Sequence, residues 1–239
     1  LLSLILSIII PNVLLKYKLD NSLPIYCKDD IYLKNKTPIL GGIIFILPFI
    51  LFLLFKKYYK ILLFLIPSTL LGFIDDFYKI KYKDRIKGIN KYTKIIFLII
   101  NYIFYGYLFN QIFGLKEFIL YCLIYMGILF IDGIDGLLGI LSIITLFFVK
   151  YFGNSSEIIN ILLFSIIPFI LVNIKPAKIF MGDTGSSFLA AILYYIIMKQ
   201  SNRHGFASIY ILTSFTTILQ VISYQTIKKR VFDITPYHH

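Results

Sequence analysis

The chain has 239 residues, 59% of them hydrophobic and only 15% charged, with a mean hydropathy of +0.83 and a formal net charge of +12. Apolar content on this scale exceeds what one water-soluble core absorbs, which excludes an ordinary soluble domain and predicts an all-α, polytopic membrane protein forming a single domain over 1–239. The basic excess suits the lipid bilayer's anionic headgroups or phosphate-bearing substrates, and no nucleic-acid partner is expected.

Nine apolar runs follow in chain order, near 1–15, 38–55, 61–74, 95–113, 117–131, 137–152, 158–173, 186–198 and 206–225. They are apolar on every face rather than alternating, so helices are expected and barrel strands are not. Several fall short of the roughly 20 residues that cross a bilayer as a helix, so their ends must reach into the polar motifs beside them. Segment 1–15 lacks a basic leader and a small-residue cleavage site and is read as a span.

The polar stretch 16–36 contains Lys34 and leads into TPILGG, Thr37 to Gly42. Pro38 suits a first helical turn and the two glycines permit close helix packing, so structural reasons suffice for this motif by itself. The third run ends in GFIDDFYK, with Asp75 and Asp76 at a depth where carboxylates are costly unless paired, hydrated or bound to a cation. A helix end emerging into water is the plain alternative. Two adjacent carboxylates are also what a hard cation needs, because Mg²⁺ is commonly held by one or two of them together with substrate phosphates. Seven Lys or Arg crowd the segment 79–94, and Lys79, Lys87 and Lys94 are expected to meet phosphate charge.

Further on, DGIDG places Asp132 and Asp135 three residues apart, on one face if the backbone there is helical. A simple turn between two spans would use the same glycines. In PAKIFMGDTGSS, Asp183 stands between glycines just before an apolar run, where free N–H groups at a helix start favour an anion or a metal-bound phosphate. Turn and N-cap chemistry is the competing explanation. The sequence closes on TPYHH, with His238 and His239 after a basic run.

Alternation across nine spans puts 16–36, 75–94, 132–136, 174–185 and 226–239 on one side. Seventeen of the 24 Lys and Arg lie there, which makes that side cytoplasmic by the positive-inside rule. Ten of the twelve acids lie on the same side, all but Glu117 and Glu157. A face rich in both signs, holding every unusual polar motif, reads as an active site.

Taken in order, TPILGG, GFIDDFYK, DGIDGL, PAKIFMGDTGS and TPYHH resemble the polyprenyl-phosphate N-acetylhexosamine-1-phosphate transferases, over nearly the whole chain. The T-P-x-H-H ending is similar to the muramoyl branch; the GlcNAc-transferring branch has H-x-H-H. The resemblance implies an enzyme of the bacterial inner membrane, its site facing the cytoplasm. Such an enzyme transfers phospho-MurNAc-pentapeptide from UDP-MurNAc-pentapeptide to undecaprenyl phosphate, forming lipid I and UMP with Mg²⁺ as cofactor. It also implies ten spans where nine are found, and a histidine motif that continues past His239. Asp183 and Asp76 are then expected on the metal side and Asp75 as base or orienting group for the lipid phosphate, with these roles interchangeable. Asp132 and Asp135 are expected near nucleotide and sugar, Lys34 and Thr37 at the uracil-side rim, and His238 and His239 on diphosphate or sugar.

One departure from the family pattern is visible: where the family has N-x-x-N-x-x-D-G, this chain has Met126 and Leu129. An inactive relict of such an enzyme is therefore one rival reading. A small membrane transporter is another, and it predicts acids along the spans rather than gathered at one face. Assembly as a homodimer is left open.

Overall fold

The computed structural model describes residues 2–17, 37–82, 88–111, 114–174 and 177–227. Among them it is all-helical: α1 (Leu2–Tyr17), α2 (Ile43–Phe55), α3 (Tyr59–Tyr82), α4 (Lys91–Phe109), α5 (Leu115–Ile131), α6 (Leu137–Phe152), α7 (Glu157–Asn173), α8 (Gly182–Met198) and α9 (Arg203–Ile227). Each apolar run of the sequence supplies one helix. Two segments, Tyr59–Tyr82 and Tyr92–Phe109, are long and apolar enough by length and composition to cross a membrane.

A helix apolar all round must be surrounded, and α8 is: every residue from Thr184 to Ile197 except Tyr195 is buried. Its most extensive neighbours are α3 and α5. Aromatic side chains interlock around it. Phe45 and Phe49 of α2 meet Phe188, the latter edge-on at 5.6 Å, and Tyr105 of α4 and Tyr121 of α5 meet Tyr194 at 5.0 and 4.8 Å. One polar seam crosses this core, where Asn101 Nδ2 of α4 donates to Ser68 Oγ of α3 at 2.6 Å and to Tyr121 OH of α5 at 3.1 Å. The outer helices present apolar faces instead; on α4, Ile95, Ile96, Ile99, Ile100 and Ile103 are all exposed.

The third apolar run does reach into its motif: α3 runs on to Tyr82, carrying Asp75 and Asp76 within the helix, with Lys79 one turn after Asp75 paired to it. Segment 132–136, in contrast, is a turn and not helical, with Gly136 at φ +74° where a left-handed residue is needed.

Candidate active site

Four elements converge at one end of the bundle: the last turns of α3, the start of α4, the α5–α6 turn and the first turn of α8. Asp75 and Asp76 are each 1% exposed. Asp75 Oδ2 lies 2.8 Å from Lys79 Nζ and 3.0 Å from Lys94 Nζ, and the same two ammonium groups lie 3.0 and 3.2 Å from Asp183 Oδ2. Two carboxylates thus share two cations. Asp75 Oδ1 accepts the Ile89 N–H at 2.5 Å, and Gly88 lies so close over that carboxylate that a Cβ there would strike it.

Asp76 faces another way. Its Oδ1 accepts the Asp183 N–H at 3.0 Å; its Oδ2 accepts the Thr184 N–H at 2.8 Å and the Thr184 hydroxyl at 2.6 Å. The sequence predicts free N–H groups at this helix start, and the structure corrects that: two of them are already donated to Asp76. Backbone contacts complete the seat of the loop before α8. Gly41 and Gly42 N–H donate to the Phe180 and Met181 carbonyls, both at 2.9 Å, and Phe180 N–H donates to the Pro38 carbonyl at 2.8 Å. A Cβ on Gly42 would enter the Gly185 backbone, and one on Gly72 would enter the Asp183 carbonyl. TPILGG therefore does serve packing, and what it packs is the loop that carries Asp183.

Asp132, which follows the last residue of α5, belongs to the same neighbourhood. Loss of water pushes its carboxyl well above the ordinary carboxylate range, and the charges of Asp183 and Asp76 push it further. Asp135 is half-buried in the turn beyond. Thr37 is 3% exposed, one residue before the Pro38 contact. Lys34, Lys87, His238 and His239 lie outside the described residues.

Sequence reasoning missed Asn173. Its Nδ2 donates to the Ile179 carbonyl at 2.9 Å while its Oδ1 accepts the Gly136 N–H at 3.0 Å, tying the acidic turn to the loop before α8. An amide ending an apolar helix just ahead of a Pro-containing loop was the available signal. Met126 and Leu129, the positions that depart from the family pattern, are partly buried and pack on the hydrophobic core.

Among the described residues, no group of three or more acidic, His or Cys side chains gathers at metal-holding spacing. A hard cation would need carboxylate oxygens such as Asp75 Oδ2 and Asp183 Oδ2, with substrate oxygens completing its shell; here both oxygens are paired with the ammonium groups of Lys79 and Lys94.

Residues 58–201, which contain all the described acids of this cluster, match the model of glycosyl transferase family 4. The chain belongs to that family. Similar curated relatives are named phospho-N-acetylmuramoyl-pentapeptide-transferase. The one from Thermotoga petrophila is 32% identical over 231 residues, covering 86% of this chain and 76% of the relative. For Petrotoga mobilis the figures are 36% over 240 residues, with 86% and 75% covered, and for Dictyoglomus turgidum 34% over 230, with 86% and 74%.

Proposed function

We propose that this family 4 member is a membrane phosphosugar transferase of peptidoglycan synthesis. It moves phospho-MurNAc-pentapeptide from UDP-MurNAc-pentapeptide to undecaprenyl phosphate, releasing UMP and forming lipid I. The observation that carries the reading is the sharing of Lys79 and Lys94 between Asp75 and Asp183. Joining a lipid phosphate to a sugar diphosphate brings two anions together, and phosphoryl transfer is governed by positioning and by charge neutralisation. The names of the relatives favour the muramoyl substrate over a GlcNAc one.

In this reading Asp75 and Asp183 hold Mg²⁺, whose chemistry is to neutralise diphosphate oxygens and polarise the scissile phosphoanhydride. Lys94 on α4 and Lys79 on α3, whose ammonium groups pair with Asp75 and Asp183 in this structure, would meet substrate phosphate when it binds. Asp75 also orients the incoming lipid phosphate, its own direction fixed by the Ile89 N–H. Asp132 and Asp135 would serve nucleotide and sugar; from the resemblance alone, Lys34 and Thr37 would serve the uracil-side rim, Lys87 phosphate charge, and His238 and His239 diphosphate or sugar. Nine helices would lie in the bacterial inner membrane with the acid cluster on the cytoplasmic side. Exposed apolar faces support this, as do exposed aromatics near helix ends, including Tyr59, Tyr107, Tyr151 and Phe152 at one side and Phe77, Tyr82 and Tyr92 at the other.

Purified full-length protein given UDP-MurNAc-pentapeptide and undecaprenyl phosphate should release UMP, and excess chelator should stop it. Undiminished turnover in chelator would remove the cation from the mechanism. UMP release from UDP-GlcNAc alone would move the enzyme to the other branch, and no release with either donor would reject the transferase reading. Cysteines introduced singly at 89 or 134 should be inaccessible to impermeant reagent outside intact cells, while one at 57 should react; the reverse pattern would invert the topology.

A further inference from the structure

The adjacent carboxylates Asp75 and Asp76 are chemically identical, yet they are used differently. Both oxygens of Asp76 already accept hydrogen bonds, three in all, and all three come from the first two residues after Gly182. The nearest ammonium, Lys79 Nζ, is 3.9 Å from Asp76 but 2.8 Å from Asp75 and 3.0 Å from Asp183. A helix N-terminus leaves its first N–H groups without partners inside the helix and carries partial positive charge. Asp76 reaches across from α3 to satisfy two of these groups with charge-assisted bonds, doing for α8 what a local N-cap side chain does elsewhere. For α8 the residue in the N-cap position is Met181, whose side chain makes no such bond.

The seat has a second half. Gly72 lies one turn before Asp76 on the same face of α3, and its missing side chain is what lets the Asp183 carbonyl approach. Gly182, at φ +74°, would drive a Cβ into Asp76 Oδ2 and the Ile39 carbonyl. A glycine gap and a carboxylate four residues apart on α3 therefore receive the first turn of α8 and fix how Asp183 leaves it, toward Lys79, Lys94 and Asp75.

We infer that Asp76 is a positioning residue: it caps α8 from a neighbouring helix and aims Asp183 at the shared cation position, without itself holding the metal. The part concerning metal rests on the proposed function; the capping part does not. Asn can accept through one oxygen and so preserves some of the cap, whereas a metal ligand loses its charge on the same change.

The test uses full-length protein in detergent and two readouts. In Mn²⁺ binding followed by electron paramagnetic resonance, Asp183→Asn should remove binding, while Asp76→Asn should retain it, weakened by no more than about 10–100-fold, as for a supporting residue. In thermal unfolding, Asp76→Ala should lower the midpoint more than Asp76→Asn or Asp183→Asn. Asp76→Ala combined with Thr184→Val should lower it by less than the sum of the two single changes, because both remove one shared bond. Loss of Mn²⁺ binding in Asp76→Asn equal to that in Asp183→Asn, with an unchanged midpoint, would overturn the inference. Additive thermal effects of Asp76→Ala and Thr184→Val would do so as well. If wild type binds no Mn²⁺, the metal assignment above fails, and the thermal cycle alone then decides whether Asp76 caps α8.

Discussion

The two ends of the bundle both carry charge, and they handle it in opposite ways. At the acid end, two carboxylates are almost fully buried, two ammonium groups are shared between acids, and helices approach at Gly42, Gly72 and Gly185. At the far end, Lys56, just past α2, and Glu157 of α7 form an exposed pair at 2.9 Å, and a side-chain clasp does the joining: Gln200 Oε1 accepts the Asn154 N–H at 2.5 Å. The far end needs only to close a bundle. Burying opposed charges is expensive, so their concentration at one end marks the place where chemistry rather than cohesion sets the arrangement.

Substitutions can break that contrast or sharpen it. The largest effect is expected from Asp183→Asn, which keeps shape but removes the charge that, in the proposed reaction, would face cation and phosphate; UMP release should fall at least about a hundredfold with the protein still folded. Turnover near wild type would strip the acid end of its special status. Gly72→Ala should come next. Its Cβ has no room beside the Asp183 carbonyl, so stability should drop by on the order of 1–3 kcal/mol in thermal or denaturant unfolding, with turnover falling alongside. A silent Gly72→Ala would mean that α3 and α8 can separate at no cost.

Smaller still is Leu129→Asn. An amide there can add a hydrogen bond worth about 0.5–1.5 kcal/mol net, so UMP affinity should hold or improve by up to about tenfold and turnover should survive. If wild type is inactive while Met126→Asn with Leu129→Asn turns over, the relict reading is favoured. Inactivity of both proteins, with fold, metal and lipid binding intact, would leave only the ancestry. At the bottom of the scale, Lys56→Ala should change neither turnover nor the unfolding midpoint measurably, since exposed pairs contribute little. A clear loss of activity there would link the two ends and undo the division between them.

The sequence made the nine helices of the described residues legible because long apolar runs can do little else, and it picked out Asp75, Lys79, Lys94 and Asp183, which the fold brings together. It required the short third run to extend into its polar motif but gave no end point, which lies at Tyr82. The role of Asp76 was illegible for a physical reason: the groups it caps lie 107 and 108 residues away, and no local pattern encodes a cap delivered by another helix. Nor could Gly72 and Gly42 be told from any small residue in a span, since what matters is the backbone pressed against them.

The main-chain pairing of Pro38, Gly41 and Gly42 with Phe180 and Met181 bears on how this chain tolerates change. Carbonyl and N–H groups are present whatever side chain a residue bears, so drift at 180 or 181 leaves those bonds in place as long as the new side chain fits. The loop that leads into the first turn of α8 therefore keeps its backbone seat through such exchanges, and Asp183 keeps its station.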